Sequence, residues 1–102
     1  MATPEGAVKK AVVKLLEKAG AYYFFAAANG YGRAGIPDII CCLHGEFLAI
    51  ECKAGKNKAT ALQLREMDRI KIAGGRPLIV TDDPQSLEAL GYVLDNMKGL
   101  YD

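Results

Sequence analysis

Two short apolar runs separated by two residues constrain the fold of this chain most strongly. The first run is Pro-Asp-Ile-Ile-Cys-Cys-Leu at residues 37–43, and the second is Glu-Phe-Leu-Ala-Ile-Glu-Cys-Lys at residues 46–53. Between them, His44-Gly45 predicts the tight turn of a two-residue β-hairpin. In that register Asp38 faces Glu51, and facing residues on adjacent antiparallel strands have Cβ atoms roughly 5 Å apart.

This facing pair of carboxylates requires a cation, because like charges directly opposite each other destabilise a sheet. Lys53 lies two residues after Glu51 and therefore points to the same face of the strand. A divalent metal with oxygen ligands would also neutralise the pair. As isolated fragments, the same residues fit a turn followed by a solvent-exposed strand about equally well. However, both faces of the strand before Glu51 are apolar, which is typical of a buried central strand, where charges need partners.

The remaining pattern predicts three helices and two further strands around this hairpin. Helices start at caps and end at glycines, and the short runs rich in aromatic or β-branched residues are strands. The predicted elements are a helix from Thr3-Pro4 to Gly20, a strand at residues 21–28, the hairpin, a helix from Thr60 to Ala73, a strand at residues 77–81 and a helix opening at Asp83-Pro84. The order α-β-β-β-α-β-α, with the last strand joined by a crossover, predicts one α/β domain over residues 1–102 with a mixed four-stranded sheet.

Composition excludes some classes of protein. The 102 residues carry a net charge of +1 and an isoelectric point near 7.7, which is not the strongly basic balance of an electrostatic nucleic-acid binder. The longest apolar run, residues 21–28, is too short to span a membrane, and the N-terminus does not read as a signal peptide. Three cysteines without metal-ligand spacing are expected to be small buried residues in a reducing, intracellular setting.

The motifs resemble those of a known family. Gly35-Ile36-Pro37-Asp38 followed by Glu51-Cys52-Lys53 resembles the PD-(D/E)xK nuclease superfamily, and its VRR-NUC branch in particular. That branch adds an early Glu in the first helix and a Gln at the start of the helix after the Glu-x-Lys strand, which correspond here to Glu5 and Gln63. Together these motifs are more specific than any one of them alone.

The resemblance implies a metal-dependent DNA endonuclease with a restriction-endonuclease-like fold. Asp38, Glu51 and the backbone carbonyl of Cys52 would bind Mg²⁺ or Mn²⁺, and Lys53 would assist the attacking water or the transition state. Small stand-alone members of the branch are thought to act as homodimers on branched DNA such as Holliday junctions. The implied location is the cytoplasm of a bacterial or phage-infected host cell.

Two of the implied site residues have competing structural interpretations. Glu5 in the first turn of a helix is also favourable with the helix macrodipole. Gln63 also fits a capping box with Thr60, in which it reaches back to the Thr60 backbone.

Other residues suggest contacts with DNA or with the core. Arg33 in the glycine-rich loop, with Lys56 and Lys58 in the loop after the hairpin, are candidates for phosphate contacts, although solvated loop charges are an equally good interpretation of each. The aromatic run Tyr22–Phe25 is expected to be core rather than a base-stacking surface.

Two other functions remain open from the sequence. One is a non-catalytic DNA-binding or interaction module with a nuclease-like fold. The other is nucleotide binding by the G-x-G-x-x-G pattern at residues 30–35, which requires a helix directly after Gly35, where the sequence has Pro37 and a predicted strand.

Overall fold

The computed structural model describes residues 3–26 and 34–97. They form three helices and four strands in the predicted order. Their bounds are α1 Pro4–Ala19, β1 Tyr22–Phe25, β2 Ile39–Leu43, β3 Glu46–Cys52, α2 Ala61–Ile72, β4 Arg76–Val80 and α3 Pro84–Asp95. The predicted first strand extended to residue 28, and residues 27 and 28 lie outside the described part of the chain.

The sheet is mixed, as predicted, with strand order β1-β2-β3-β4. The first three strands are antiparallel neighbours, and β4 runs parallel to β3. The hairpin turn has positive φ at both central residues, 52° at His44 and 80° at Gly45, as a type I′ turn requires. Pairing from Leu43 opposite Glu46 to Ile39 opposite Ile50 confirms the predicted register.

The capping residues predicted from the sequence lie at the ends of the helices. The Thr3 hydroxyl accepts a 2.9 Å hydrogen bond from the Gly6 N–H at the start of α1. Gly20 ends α1 in the left-handed conformation at φ 79°, where glycine has no steric penalty. Thr60 and Asp83 accept backbone N–H groups in the same way at the starts of α2 and α3.

The two faces of the sheet are covered by different helices. One face carries Ile39, Cys41, Leu48, Ile50 and Cys52, which form the main core with buried residues of α1 and α3. Alternation along the strands places Glu51 and Lys53 on the opposite face. In the described part of the chain, helix α2 covers that face over β4 and β3, whereas Cys42 on β2 and Tyr22 and Phe24 on β1 remain exposed on it.

The prediction that the aromatic run is core is wrong for most of its members. Tyr22, Phe24 and Phe25 are 74%, 51% and 53% exposed, respectively, and only Tyr23 packs against the core cluster. The physical reason is that β1 is an edge strand and α2 does not extend over it. Among the described residues, Tyr22 and Phe24 therefore lie on an uncovered face of the sheet. Phe25 lies on the other face with Tyr23, at the last position of β1, where it borders a groove beside α1.

The cysteine prediction is right for two of the three residues. Cys41 and Cys52 are free and buried, whereas Cys42 is free and exposed, because it points to the uncovered face of β2. Burial is the main cause that raises the pKa of the Cys41 thiol to about 11 and that of the Cys52 thiol to about 12.

Two further sequence questions are answered by the described residues. The chain after Gly35 runs through Pro37 directly into β2, so the helix that the nucleotide-binding interpretation requires is absent and that interpretation is wrong. None of the helices within residues 3–26 and 34–97 is long and apolar enough to cross a membrane.

Candidate active site

Glu51 is a buried carboxyl near the C-terminal end of the central strand β3. Its side chain is only 3% exposed. Burial raises the pKa of Glu51 from its ordinary value of 4.5 to about 7, and the negative charge of Asp38 is the second cause of this rise. The positive charge of Lys53 lowers the pKa and so offsets part of the rise. A carboxyl with this pKa changes its charge near neutral pH, which is characteristic of functional sites.

Asp38 lies immediately before β2, next to Glu51, as the predicted register requires. Its Oδ2 accepts a 2.9 Å hydrogen bond from the Cys52 N–H, so a side chain takes the acceptor position that a paired strand would otherwise supply. Its Oδ1 lies 3.7 Å from the Lys9 ammonium. The two carboxylates are therefore held together at the point where pairing between β2 and β3 stops.

The turn before Asp38 is fixed against the first turn of α2. Gly35 has φ +88°, and a Cβ placed on it would come within 2.5 Å of the Leu62 carbonyl oxygen. Both the positive φ and the close approach require glycine. Pro37, which follows, is fully buried. The Gly-Ile-Pro-Asp sequence thus fixes the distance between Asp38 and α2.

Lys53 is the cation that faces Glu51. Its Nζ lies 3.5 Å from Glu51 Oε2, and its side chain is 11% exposed. The Lys53 backbone N–H donates to the Val80 carbonyl at 2.9 Å, which continues the β3–β4 pairing and holds the lysine on the face of Glu51. A positive charge so little exposed to water acts more strongly on its neighbours than one at the surface.

Gln63 both caps α2 and contacts Glu51, so the two interpretations of this residue hold together. Its Oε1 accepts a 2.8 Å hydrogen bond from the Thr60 N–H, while its Nε2 donates to Glu51 Oε2 at 3.1 Å. A backbone N–H can only donate, and this fixes which end of the amide faces the helix cap. The capping box therefore directs the amide donor of Gln63 toward the buried carboxylate.

The donor set fits a divalent cation with oxygen ligands. Glu51 Oε1 is buried and has no hydrogen-bond partner within the described ranges, which is costly for a polar atom unless something else binds it. Glu51, Asp38 and the Cys52 carbonyl would hold the ion, whereas the Cys52 side chain lies in the core. Residues 3–26 and 34–97 contain no cluster of three or more His, Cys, Asp or Glu side chains suited to a metal.

The other predicted residues lie beside this centre or outside the described chain. Glu5, in the first turn of α1, lines a cleft of about 510 Å³ together with Lys56 and neighbouring residues of the loop after β3. Lys58 is exposed in the same loop. Arg33 lies outside the described residues.

Lys9 is a site residue that the sequence interpretation missed. The helical pattern alone places it among the polar residues of α1, yet its ammonium pairs with Asp38 and its side chain is 37% exposed. One signal could have indicated it: Lys9 follows Glu5 by four residues, so the two share one side of the helix.

Comparison with known proteins gives the family. The archaeal Holliday junction resolvase (Hjc) family model matches residues 5–97. The chain belongs to this family. A relative from Acyrthosiphon pisum secondary endosymbiont phage 1, named "Putative nuclease p44", is 34% identical over 89 residues, covering 84% of this chain and 89% of the relative.

Solved structures agree with this assignment. A structure described as a VRR_NUC domain superposes with a TM-score of 0.74 at 27% identity, covering 93% of this chain and 98% of the other. This match confirms the resemblance to VRR-NUC nucleases. Archaeoglobus fulgidus Hjc, a Holliday junction resolvase from an archaeal hyperthermophile, superposes with a TM-score of 0.59 at 22% identity over 78% of this chain and 69% of that one, and shows the shared fold.

Proposed function

We propose that this protein is a divalent-metal-dependent endonuclease that hydrolyses phosphodiester bonds in branched DNA. Membership of the Holliday junction resolvase family supports the substrate class. The main structural support for metal-dependent hydrolysis is the buried Glu51 carboxyl. It stands beside Asp38 and a nearly buried lysine, and one of its oxygens has no hydrogen-bond partner among the described residues.

The carboxylate pair is the proposed holder of Mg²⁺ or Mn²⁺. Asp38 and Glu51 supply charged oxygens, and the Cys52 carbonyl supplies a neutral one. Hard divalent cations prefer such ligands. When bound, the ion polarises the scissile phosphate and lowers the pKa of the attacking water. It would also relieve the repulsion between Asp38 and Glu51, which supports its binding at this position.

The neighbouring side chains have distinct proposed roles. Lys53 brings a nearly buried positive charge to the place where negative charge builds up on the phosphate, and preorganised charges of this kind are among the largest contributions to catalysis. Gln63 holds Glu51 Oε2 by its amide donor and so orients the carboxylate. Glu5 lies in the adjoining cleft with Lys56 and is proposed to complete the site when DNA is bound.

The proposed working unit is a homodimer. One site cuts one strand, so two coordinated cuts across a junction need two sites, which a C₂ dimer supplies. Tyr22, Phe24 and Phe47 are 74%, 51% and 46% exposed on the same face of the sheet, the first two on the uncovered strand β1 and Phe47 on β3 beside α2. Aromatic side chains bury about 150–250 Å² each, so their exposed parts sum to roughly 300–400 Å². That is enough for the apolar centre of an interface.

The test is cleavage of labelled DNA with Mg²⁺, Mn²⁺ or EDTA by the wild type and the Asp38→Asn variant. Asp82→Asn is the matched control, because Asp82 also accepts a backbone N–H, that of Gly55, but lies outside the carboxylate pair. The proposal predicts metal-dependent cutting by the wild type and the control and none by Asp38→Asn. Cutting by Asp38→Asn at the wild-type rate contradicts the metal assignment, and binding without cutting under every metal favours a DNA-binding module.

A further inference from the structure

A groove between α1 and β1 combines lysines with an exposed aromatic ring. Its volume is about 500 Å³, and we call it the α1–β1 groove. It is lined by Gly6, Lys9, Lys10, Val13, Lys14 and Phe25. The lining surface is almost entirely carbon, from the Phe25 ring, Val13 and the lysine stems, so the ammonium groups lie at the rim.

The charge of this groove is one-sided. Three of the chain's 13 lysines and arginines line it, and none of its lining residues within 3–26 and 34–97 is acidic. Lys10 and Lys14 are exposed and four residues apart, and residues at this spacing are neighbours along one side of a helix. The whole chain has a net charge of only +1, so this local concentration of positive charge is not a general property of its surface.

The groove leads directly to the candidate active site. Lys9 lines the groove and also lies 3.7 Å from Asp38 Oδ1. At the other wall, the residue after Phe25 donates its backbone N–H to the Asp38 carbonyl at 2.9 Å. A ligand lying in the groove would therefore have one end at the carboxylate pair.

We propose that the α1–β1 groove binds a strand of the DNA substrate next to the scissile phosphate, with an unpaired base on Phe25 and phosphates at Lys10 and Lys14. This inference rests on the proposed nuclease function, whose active site the groove adjoins. Phe25 is 53% exposed, with its ring nearly perpendicular to that of Tyr23, and an exposed aromatic ring beside basic side chains is the usual platform for a single-stranded nucleic acid. Branched DNA has unpaired nucleotides where it carries a flap or gap, and the bases at the branch point of a four-way junction are easier to unstack than those of a continuous duplex.

The chemistry of the groove favours nucleic acid over a second copy of this chain. The core of a protein interface is depleted of charged residues, lysine in particular. A C₂ contact through this groove would place the lysine rims of two copies against each other. A phosphate backbone instead complements the charges, with counterion release adding to the affinity.

The first experiment measures binding of a labelled four-way junction and of single-stranded DNA in EDTA, where the proposed nuclease does not cut, across a series of salt concentrations. The test variant is Lys10→Gln/Lys14→Gln. The charge-matched control is Lys18→Gln/Lys71→Gln, because these lysines lie on α1 and α2 but outside the groove. Loss of two phosphate contacts predicts roughly tenfold weaker binding and a salt slope smaller by about 1.4 on single strands, with little change in the control.

The second experiment tests the aromatic ring. Phe25→Leu keeps an apolar side chain and removes the stacking surface, and Tyr92→Leu is the control, because Tyr92 is 71% exposed on α3 outside the groove. Base stacking predicts at least fivefold weaker binding of single strands and junctions by Phe25→Leu. The loss on a continuous duplex is expected to be smaller, because its bases remain stacked on one another.

The outcomes separate this proposal from the proposed function. Groove variants that bind DNA with the affinity and salt slope of their controls overturn the groove, even if the wild type cuts DNA. A wild type that does not bind DNA at all, or groove variants whose only change is in oligomeric state, overturn it as well. If the groove variants lose binding as expected but the wild type cuts under no metal, the groove stands and the nuclease assignment fails.

Discussion

The Asp38→Asn variant is expected to lose activity and yet to lose less stability than the wild type as the pH rises from 5 to 8 when no metal is present. The substitution keeps the shape of the side chain, and its amide oxygen can still accept the hydrogen bond from the Cys52 N–H. It removes the negative charge, which is the second largest cause of the raised pKa of Glu51 after burial. The buried Glu51 carboxylate is therefore less unfavourable in the variant.

The magnitude follows from the pKa of Glu51. A rise from 4.5 to about 7 corresponds to roughly 3 kcal/mol between the charged and neutral forms. Burial accounts for the largest part, and water at the partly exposed Asp38 side chain screens the remainder. The share due to Asp38 is the smaller part, on the order of 1 kcal/mol. We expect the difference in free energy of unfolding, variant minus wild type, to be larger at pH 8 than at pH 5 by about this amount.

The sign follows from proton linkage. The folded state raises the pKa of Glu51, so the stability that this group contributes is fully present below pH 4.5 and is lost as the pH rises to about 7. At pH 5 Glu51 is mostly protonated in the folded wild type, and the repulsion from Asp38 is absent. At pH 8 the repulsion is complete in the wild type and missing in the variant.

The assay is urea denaturation at pH 5 and pH 8 in EDTA, followed by the same series with Mg²⁺. Asp82→Asn serves as the control, because Asp82 does not contribute to the pKa of Glu51. Added Mg²⁺ should stabilise the wild type by about 2.7 kcal/mol at 100 times its dissociation constant and Asp38→Asn much less. The reasoning is refuted if Asp38→Asn loses as much stability between the two pH values as the wild type does, or if Mg²⁺ stabilises both equally.

Three further predictions test the surroundings of this pair. Gln63→Glu keeps an acceptor for the helix cap but loses the donor to Glu51, so cleavage should fall at least tenfold without loss of helical circular dichroism; an unchanged rate would show that the amide has no role. Gly35→Ala should lower the free energy of unfolding by about 2 kcal/mol or more, because the added Cβ meets the Leu62 backbone. The control Gly20→Ala should cost about 1 kcal/mol, because Gly20 has positive φ but open space around it. Equal losses in urea denaturation would contradict the close contact with α2. Phe24→Asp should convert the proposed dimer to monomers in analytical ultracentrifugation, and an unchanged mass would remove this face from the interface.

The arrangement of the hairpin residues was predictable from the sequence. A two-residue turn at His44-Gly45 fixes the register, and alternation along the strands then fixes which side chains share a face. Asp38 beside Glu51, and Lys53 on the same face as Glu51, follow from counting residues. The dual role of Gln63 was also visible as two compatible motifs, because a helix cap and a contact across to the sheet use different atoms of one amide.

The features that sequence reasoning missed depend on how the helices lie across the sheet. Local sequence patterns do not determine how far helix α2 extends across the sheet. Because α2 extends over β4 and β3, the side chains of Tyr22 and Phe24 on β1 are exposed. The contact of Lys9 with Asp38 likewise requires the angle at which α1 crosses the sheet. A lysine on a helix otherwise has the pattern of any solvated residue.

The most direct test of the metal-dependent nuclease is cleavage of a labelled four-way junction and of a linear duplex of matched sequence, with Mg²⁺ or EDTA, by the wild type and by Lys53→Met. Methionine keeps most of the volume of this nearly buried side chain and removes its charge. The account predicts paired, metal-dependent cuts at the junction by the wild type, with little cutting of the duplex, and at least a hundredfold slower cutting by Lys53→Met. Cutting in EDTA, or a Lys53→Met variant that cuts the junction at the wild-type rate, would contradict it.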